Sequence, residues 1–311
     1  MRGHGLPALI LDFKDDYSRS EYTAAEGLRV LDANFGGLPF NPLEPAIDPV
    51  SGRVNPMGHV HQIGEIPKRV YRLGDQQTFH LREAIKSSYE QAGLKTSGHV
   101  PAADVRWPSL DDVRPILSEA GHDALLGRLS PIFDLGLFTD PGDASLADLL
   151  DGQVVIRLSQ LPGDQVKNAV AEFLLLALYN HLIRLEQPRQ LRRLLVLDEA
   201  WRVTNSERLE PLMRESRAFG LGIIVATQYP NDLSDAVAGA TATRLFFSQS
   251  LSDPIKAIQA TLVGKSTGTE AERVGSDVRG MQKLNCLLQN QQHRPYRRVA
   301  VVPYWQRVEQ T

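Results

Sequence analysis

Leu194-Leu195-Val196-Leu197-Asp198-Glu199-Ala200-Trp201 decides how the chain is read. Four apolar residues stop abruptly at two acids. A strand buried on both faces of a parallel sheet has this unbroken apolar pattern, and open parallel sheets place their ligands at the carboxyl ends of the strands. Two carboxylates at that edge suit nucleotide hydrolysis. One holds hydrated magnesium, and the second polarises the attacking water. The companion element is a glycine-rich phosphate loop, G-x-x-x-x-G-K-[ST]. The 311 residues do not contain it. The plainer alternative is an ordinary strand that ends in solvated acids.

The flanking sequence weighs against that alternative. Residues 221–228 form a second apolar run that ends in Thr227-Gln228. A glutamine at the end of such a strand can reach a γ-phosphate and the attacking water; on its own it also reads as a turn residue. Residues 209–219 read as a helix with Leu209, Leu212 and Met213 on its buried side. Arg214 and Arg217 stand three apart and share another face. Two readings of them are open. One is an arginine that reaches a phosphate bound by a neighbouring subunit. The other is a solvated face paired with Glu210.

Working outward, residues 8–13 read as a buried strand that enters the acidic turn Asp12-Phe13-Lys14-Asp15-Asp16-Tyr17. Residues 30–34 form a second short extended piece. Residues 44–150 hold no run resembling a buried parallel strand. They carry helical patterns at 78–92, 110–120 and 124–133, punctuated by Pro101, Pro108 and Pro141. From 151 the pattern changes. A strand at 154–158, a long apolar helix at 163–185 and the two runs already described follow one another. Next come Leu245-Phe246-Phe247, a helix opened by Asp253-Pro254, and a helix at Thr269 with capping-box spacing to Glu272. Residues 285–289 and 298–302 read as closing strands. Strands alternating with helices imply an α/β fold with a parallel sheet and right-handed crossovers. The expected organisation is 1–43 as the first part of a core, 44–150 as a mainly helical insertion, and 151–311 as the remainder of the core.

Other features carry less. Gly264-Lys265-Ser266 imitates the end of a phosphate loop, but Gln259 stands where the first glycine belongs and a helix, not a strand, precedes it. His59 and His61 have a spacing that suits a metal on a strand. No cysteine or carboxylate cluster accompanies them, and in loop-like surroundings they read as structural. Cys286 reads as inert core. Arg189, Arg192 and Arg193 read as a solvated loop at the amino-terminal edge of the acid-ended strand.

Composition sets the frame. A hydrophobic fraction of 42% and a charged fraction of 23% are those of a globular protein. The net charge of -3 argues for neither a nucleic-acid-coating surface nor an acidic tail and leaves room for a local basic channel. The single cysteine excludes an internal disulfide and fits a reducing cytosol. Residues 173–185 are too short to span a membrane and are broken by Asn180, His181 and Arg184. The amino terminus lacks the apolar core of a signal peptide. A cytoplasmic location is expected. The short loop before the strand at residue 8 reads as the start of a piece cut from something longer.

The order of these elements resembles the HerA–FtsK superfamily of hexameric P-loop ATPases, nearest to the HerA branch and its relatives among conjugation and type IV secretion ATPases. Residues 9–17 resemble the strand that follows the phosphate-loop helix in that family, and Leu38-Pro39-Phe40-Asn41-Pro42-Leu43 is similar to its next loop. Residues 195–201 resemble its Walker B strand. Arg217-Ala218-Phe219-Gly220-Leu221-Gly222-Ile223-Ile224-Val225-Ala226-Thr227-Gln228-Tyr229-Pro230 resembles its arginine helix and glutamine-ended sensor strand, and is the most specific stretch.

The resemblance implies a RecA-like P-loop NTPase sheet, without the phosphate-loop strand and with a helical insertion. It implies ATP and Mg2+ as ligands and a homo-oligomeric ring, a hexamer, with double-stranded DNA as substrate. A nuclease or other accessory protein is an implied partner. Asp198 becomes the magnesium-side acid, Glu199 the catalytic base and Gln228 the γ-phosphate sensor. Arg217 becomes the trans-acting finger, with Arg214 second. The family's phosphate loop and its lysine precede the strand at residue 8, so here they would fall before Met1, and the β-barrel usual in HerA proteins is missing too. Hydrolysis is then expected only with a phosphate loop from elsewhere. The sheet is expected to show a gap or an abnormal edge, because that missing strand lies between two others. Two alternatives stand beside this reading: a non-catalytic ring or scaffold subunit, and a type IV secretion or conjugation ATPase.

Overall fold

The computed structural model describes residues 5–102, 106–139, 145–185, 187–188, 190–303 and 306. Arg189 and Pro141 lie outside the described residues. The chain divides into two compact units, Met1–Ala226 and Thr227–Thr311.

In the first unit, β1 (Ala8–Asp12), α1 (Ser20–Glu26) and β2 (Arg29–Asp32) open the fold. Then come β3 (Arg53–Val54), α2 (Pro56–Val70), α3 (Asp75–Gln91), β4 (Val100–Pro101), α4 (Leu110–Glu119), α5 (Asp123–Asp134) and α6 (Leu146–Asp151). The sheet resumes with β5 (Gln153–Arg157), α7 (Gly163–Leu182), β6 (Arg193–Leu197), α8 (Leu209–Glu215) and β7 (Leu221–Val225). Five strands form one parallel sheet in the order β2-β5-β1-β6-β7. Between β2 and β5 the described residues hold α2 to α6 and the short antiparallel ribbon β3–β4.

The central strands are apolar because both faces are covered. All five residues of β1 are buried. Ile10, Val155 and Val196 share one face and cluster with Leu28, Tyr17 and Tyr22. Their sequence neighbours, Leu9, Leu11, Val154, Ile156, Leu195 and Leu197, point to the other face by the two-residue period and are buried as well. The long helix α7 is buried on most of its sides, and Phe173 packs edge-on against Phe138 at 5.6 Å. Its one buried acid, Glu172, is paired with Arg69 of α2.

The expected interruption of the sheet is not there. β1, β6 and β7 pair in continuous register, Leu11 with Leu197 and Leu197 with Val225. The irregularity is at the edge instead. Among the described residues β7 has a single sheet neighbour, yet it is Leu-Gly-Ile-Ile-Val, and Ile224 is 49% exposed.

α2 corrects the loop-like surroundings expected for His59 and His61. Asn55 caps it by accepting from the Gly58 N–H at 2.9 Å, and Pro56 fills the first turn, where no N–H is needed. His59 is therefore not on a strand with His61. It is buried in a helix, and its Nε2 lies 2.9 Å from the Pro42 carbonyl. Burial pushes its pKa down to about 4. Among the described residues no cluster of three metal-ligating side chains exists.

The second unit holds α9 (Asp235–Ala240), β8 (Arg244–Phe246), α10 (Ser252–Val263), α11 (Thr269–Arg279), β9 (Asn285–Asn290) and β10 (His293–Ala300). Its three strands form a separate antiparallel sheet, β10-β9-β8, rather than extending the parallel one. Ile255, Ile258, Leu262, Val274, Val278, Met281, Cys286 and Leu287 make its core, and burial raises the Cys286 thiol pKa. Gly264 ends α10 in the left-handed conformation, and Lys265 pairs with Glu270 at 3.2 Å, so the false phosphate loop is a helix cap. The helix at Thr269 has Gly268 rather than Thr269 at its cap position.

Candidate functional site

The parallel register brings the carboxyl ends of β1, β2, β5 and β6 to one edge of the sheet. Each strand delivers a polar residue there: Asp12 from β1, Asp32 from β2, Arg157 from β5, and Asp198 just past β6. The sequence marked only the last of these as a site residue.

Asp12 organises the turn after β1. It is fully buried, and its carboxylate accepts from the N–H groups of Lys14, Asp16, Tyr17 and Ser18 at 2.9–3.2 Å and from the Ser18 hydroxyl at 2.6 Å. A carboxylate cradled by backbone N–H groups fixes a loop that could not otherwise satisfy them. Asp15 stands at φ 65 in that turn. Arg157 grips it with a two-pronged contact of 2.6 and 3.1 Å and reaches Asp32 at 3.1 Å. Arg157, with the Ser159 hydroxyl, holds the Asp15 carboxyl down at about 2. The ends of three adjacent strands are thereby clipped together.

Asp198 and Glu199 sit beside this turn. Burial raises the pKa of Asp198, and the charges of Glu199, Asp16 and Asp12 push the same way, against a lowering hydrogen bond from the Glu199 backbone. Tyr17 is pushed up to about 12, first by burial and then by the Asp198 charge. Glu199 is 6% exposed and adopts the left-handed conformation, φ 51 and ψ 47. A non-glycine residue in that region costs about 1–2 kcal/mol, and such strain concentrates at functional sites. Its Oε1 lies 2.7 Å from Lys14 Nζ, and its Oε2 accepts from Trp201 Nε1 at 2.7 Å. Arg202 sits 4.4 Å from the centre of the Trp201 ring and 5.3 Å from that of Phe13, held by Asp164 at 2.8 Å.

The remaining predicted residues are Arg217, Arg214 and Gln228. α8 stops at Glu215, so Arg217 is not on a helix with Arg214; it is an exposed residue of the turn before β7. The turn is forced by Gly220 at φ 61, where a Cβ would lie 2.5 Å from Pro188 and 2.7 Å from the Gln190 carbonyl. Arg214 pairs with Glu210 at 2.7 Å, the solvated arrangement. Gln228 belongs to the second unit. It is exposed, and its carbonyl accepts from Gln249 at 3.0 Å. Arg193 lies in β6 and pairs with Asp151 at 2.8 Å, and Arg192 is exposed.

The five-stranded parallel sheet, with paired acids at the carboxyl end of an inner strand, has a RecA-like α/β fold. Solved structures bear this out. VirB4 of Thermoanaerobacter pseudethanolicus superposes with a TM-score of 0.69 over 97% of this chain and 84% of its own, at 22% identity. The bacterial conjugative coupling protein TrwBdeltaN70, in its sulphate-bound trigonal form, gives 0.57 over 96% and 79%, at 12% identity. The plasmid coupling protein TrwB with ADP and Mg2+ gives 0.52 over 95% and 85%, at 14% identity. No protein-family model matches the chain. No curated protein matches it. Among the described residues no helix is long and apolar enough to cross a membrane.

Proposed function

We propose that the chain is the acid-bearing part of an ATP-driven ring motor. The observation that carries this reading is the Asp198-Glu199 pair at the carboxyl end of β6, with Glu199 buried, strained and held by two loops. The solved TrwB with ADP and Mg2+ supports a nucleotide as ligand. Asp198 is the magnesium-side acid: no cluster of three protein ligands stands among the described residues, so a Mg2+ ion would rest on Asp198 and on phosphate oxygens, as this cation commonly does. Bound there, the ion would neutralise charge on the transferring phosphoryl group. Glu199 accepts a proton from the attacking water. Gln228 senses the γ-phosphate, and Arg217, exposed and without a side-chain ion pair among the described residues, reaches the site of a neighbouring subunit with Arg214 in reserve. The phosphate loop comes from outside these 311 residues, since they hold no G-x-x-x-x-G-K-[ST].

For what the ring moves, the first reading is double-stranded DNA in a HerA-like cytoplasmic translocase or helicase, a homo-hexamer served by a nuclease or other accessory protein. The likeness to VirB4 and to the TrwB coupling protein favours a second, a conjugation or type IV secretion ATPase. DNA affinity that falls steeply with salt supports the first, because a translocase tracks phosphates; salt-insensitive binding supports a motor that meets protein. The shared-site claim is tested by mixing subunits in an assembly that contains the phosphate loop. Arg217→Ala rings should lose turnover without dissolving, and mixing them with Glu199→Gln subunits should restore part of it. No rescue would show that Arg217 does not act across an interface.

A further inference from the structure

Glu199 is held from two sides by partners of unequal freedom. Lys14 Nζ lies 2.7 Å from Oε1, and the Trp201 indole donates to Oε2 at 2.7 Å. The indole is pinned, because Arg202 stacks on its ring at 4.4 Å and is itself anchored by Asp164. The ammonium is not. The Glu199 side chain is 8% exposed, whereas that of Lys14 is 40% exposed. The Lys14 backbone is fixed by its N–H bond to Asp12 at 3.2 Å, so only its four-carbon stem is left to swing.

The charges around Lys14 limit what can replace Glu199. Asp12 is taken up by four backbone N–H groups and a hydroxyl, and Asp15 by Arg157. Asp16 sits 3.6 Å from Arg19. A neutral ligand gains only an ordinary hydrogen bond from the ammonium. A polyphosphate competes for it directly, with oxyanions that accept charge-assisted hydrogen bonds as a carboxylate does. A carboxylate clamped between an ammonium and an N–H is a poor proton acceptor until one of them leaves.

We propose that Lys14 is a positioning residue that holds Glu199 in the resting chain and exchanges it for a phosphate oxyanion when a polyphosphate arrives. This rests on the reading of Glu199 as the base. The exchange takes the ammonium from Oε1 while Trp201 stays on Oε2, so the carboxylate becomes a better proton acceptor without losing its orientation.

Trp201 reports the exchange. With Trp107→Phe and Trp305→Phe, Trp201 is the only tryptophan left in the chain. Sodium tripolyphosphate is titrated at constant ionic strength and the emission followed. The expected result is a saturable shift in the protein with Lys14 and in Lys14→Arg. Lys14→Met should start at the shifted emission and not titrate. Circular dichroism and urea midpoints equal to those of the parent confirm that the variants are folded. An emission unmoved by tripolyphosphate in the Lys14 protein, or a Lys14→Met variant that titrates like it, overturns the proposal. The readout needs no turnover, so it can fail while Glu199→Gln still abolishes hydrolysis, and it can succeed if Glu199 proves not to be the base.

Discussion

Replacing Asp12 with Ala should be among the most damaging single changes in the first unit. The carboxylate is fully buried and accepts four backbone N–H groups and one hydroxyl. A hydrogen bond to a charged group contributes about 1.5–3 kcal/mol, and an orphaned buried donor costs about 1–3 kcal/mol. The contacts share one acceptor and the turn is part-exposed, so water recovers some of the loss and the terms do not add. A net loss of about 3–5 kcal/mol follows. With a urea slope near 2–3 kcal/mol per molar, the unfolding midpoint should fall by about 1–2 M. The assay is equilibrium urea unfolding followed by Trp201 emission in the Trp107→Phe, Trp305→Phe background, which isolates the first unit. Asp12→Asn, which keeps the shape and one acceptor oxygen, should lie between Ala and the parent. A midpoint within about 0.3 M of the parent, roughly 1 kcal/mol, would show that the turn is held by something other than this carboxylate.

Further expectations follow from single contacts. Asp15 is held at about 2 when folded, against an ordinary 3.8. Its contribution to stability is therefore complete above about pH 4 and is lost as pH falls to about 2. Asp15→Asn, which tolerates the left-handed backbone, should flatten the stability curve in that window alone; an unchanged acid limb would remove Arg157 from the account. Gly220→Ala should destabilise the first unit by roughly 2–4 kcal/mol, from left-handed strain plus overlap with Pro188 and the Gln190 carbonyl, and a thermal midpoint within a degree of the parent would contradict that. The apolar edge strand β7 should make the isolated chain self-associate. Ile224→Lys should lower concentration-dependent light scattering at equal helix content, and no change would mean the edge is not the adhesive surface.

The buried strands were legible because burial on both faces leaves an unmistakable mark: runs such as 8–11 and 194–197 have no polar residue to spoil them. Strand direction leaves no such mark. β9 and β10 read as strands, but nothing in their side chains tells antiparallel from parallel, and they turned out to form a sheet of their own. α2 was hidden by Gly58, Gly64 and Pro67, which dilute its helical period, although Asn55-Pro56 is a capping signature that was there to be used. Arg217 was placed on a helix because the apolar period runs on to Phe219, whereas Gly220 needs a turn ahead of it. At the site, Asp198 and Glu199 declare themselves by ending an apolar run. Lys14, Trp201, Arg157 and Asp32 do not. The partners of Lys14, Arg157 and Asp32 are distant in sequence, and only the parallel register brings them to one edge; Trp201 is two residues from Glu199, but their contact depends on the turn at Glu199. The acidic turn at 12–17 was visible as an oddity of composition, but the backbone cradle around Asp12 is a property of the folded loop.

The central claim is that Glu199 is the base of an ATP-hydrolysing site. The most direct test is steady-state ATP turnover and nucleotide binding of Glu199→Gln, measured in an assembly that contains the phosphate loop. The amide keeps the size of the side chain and can still accept from Trp201. The account predicts that turnover falls by about 10²–10⁴ while Mg-ATP binding is kept; hydrolysis within a few-fold of the parent would contradict it.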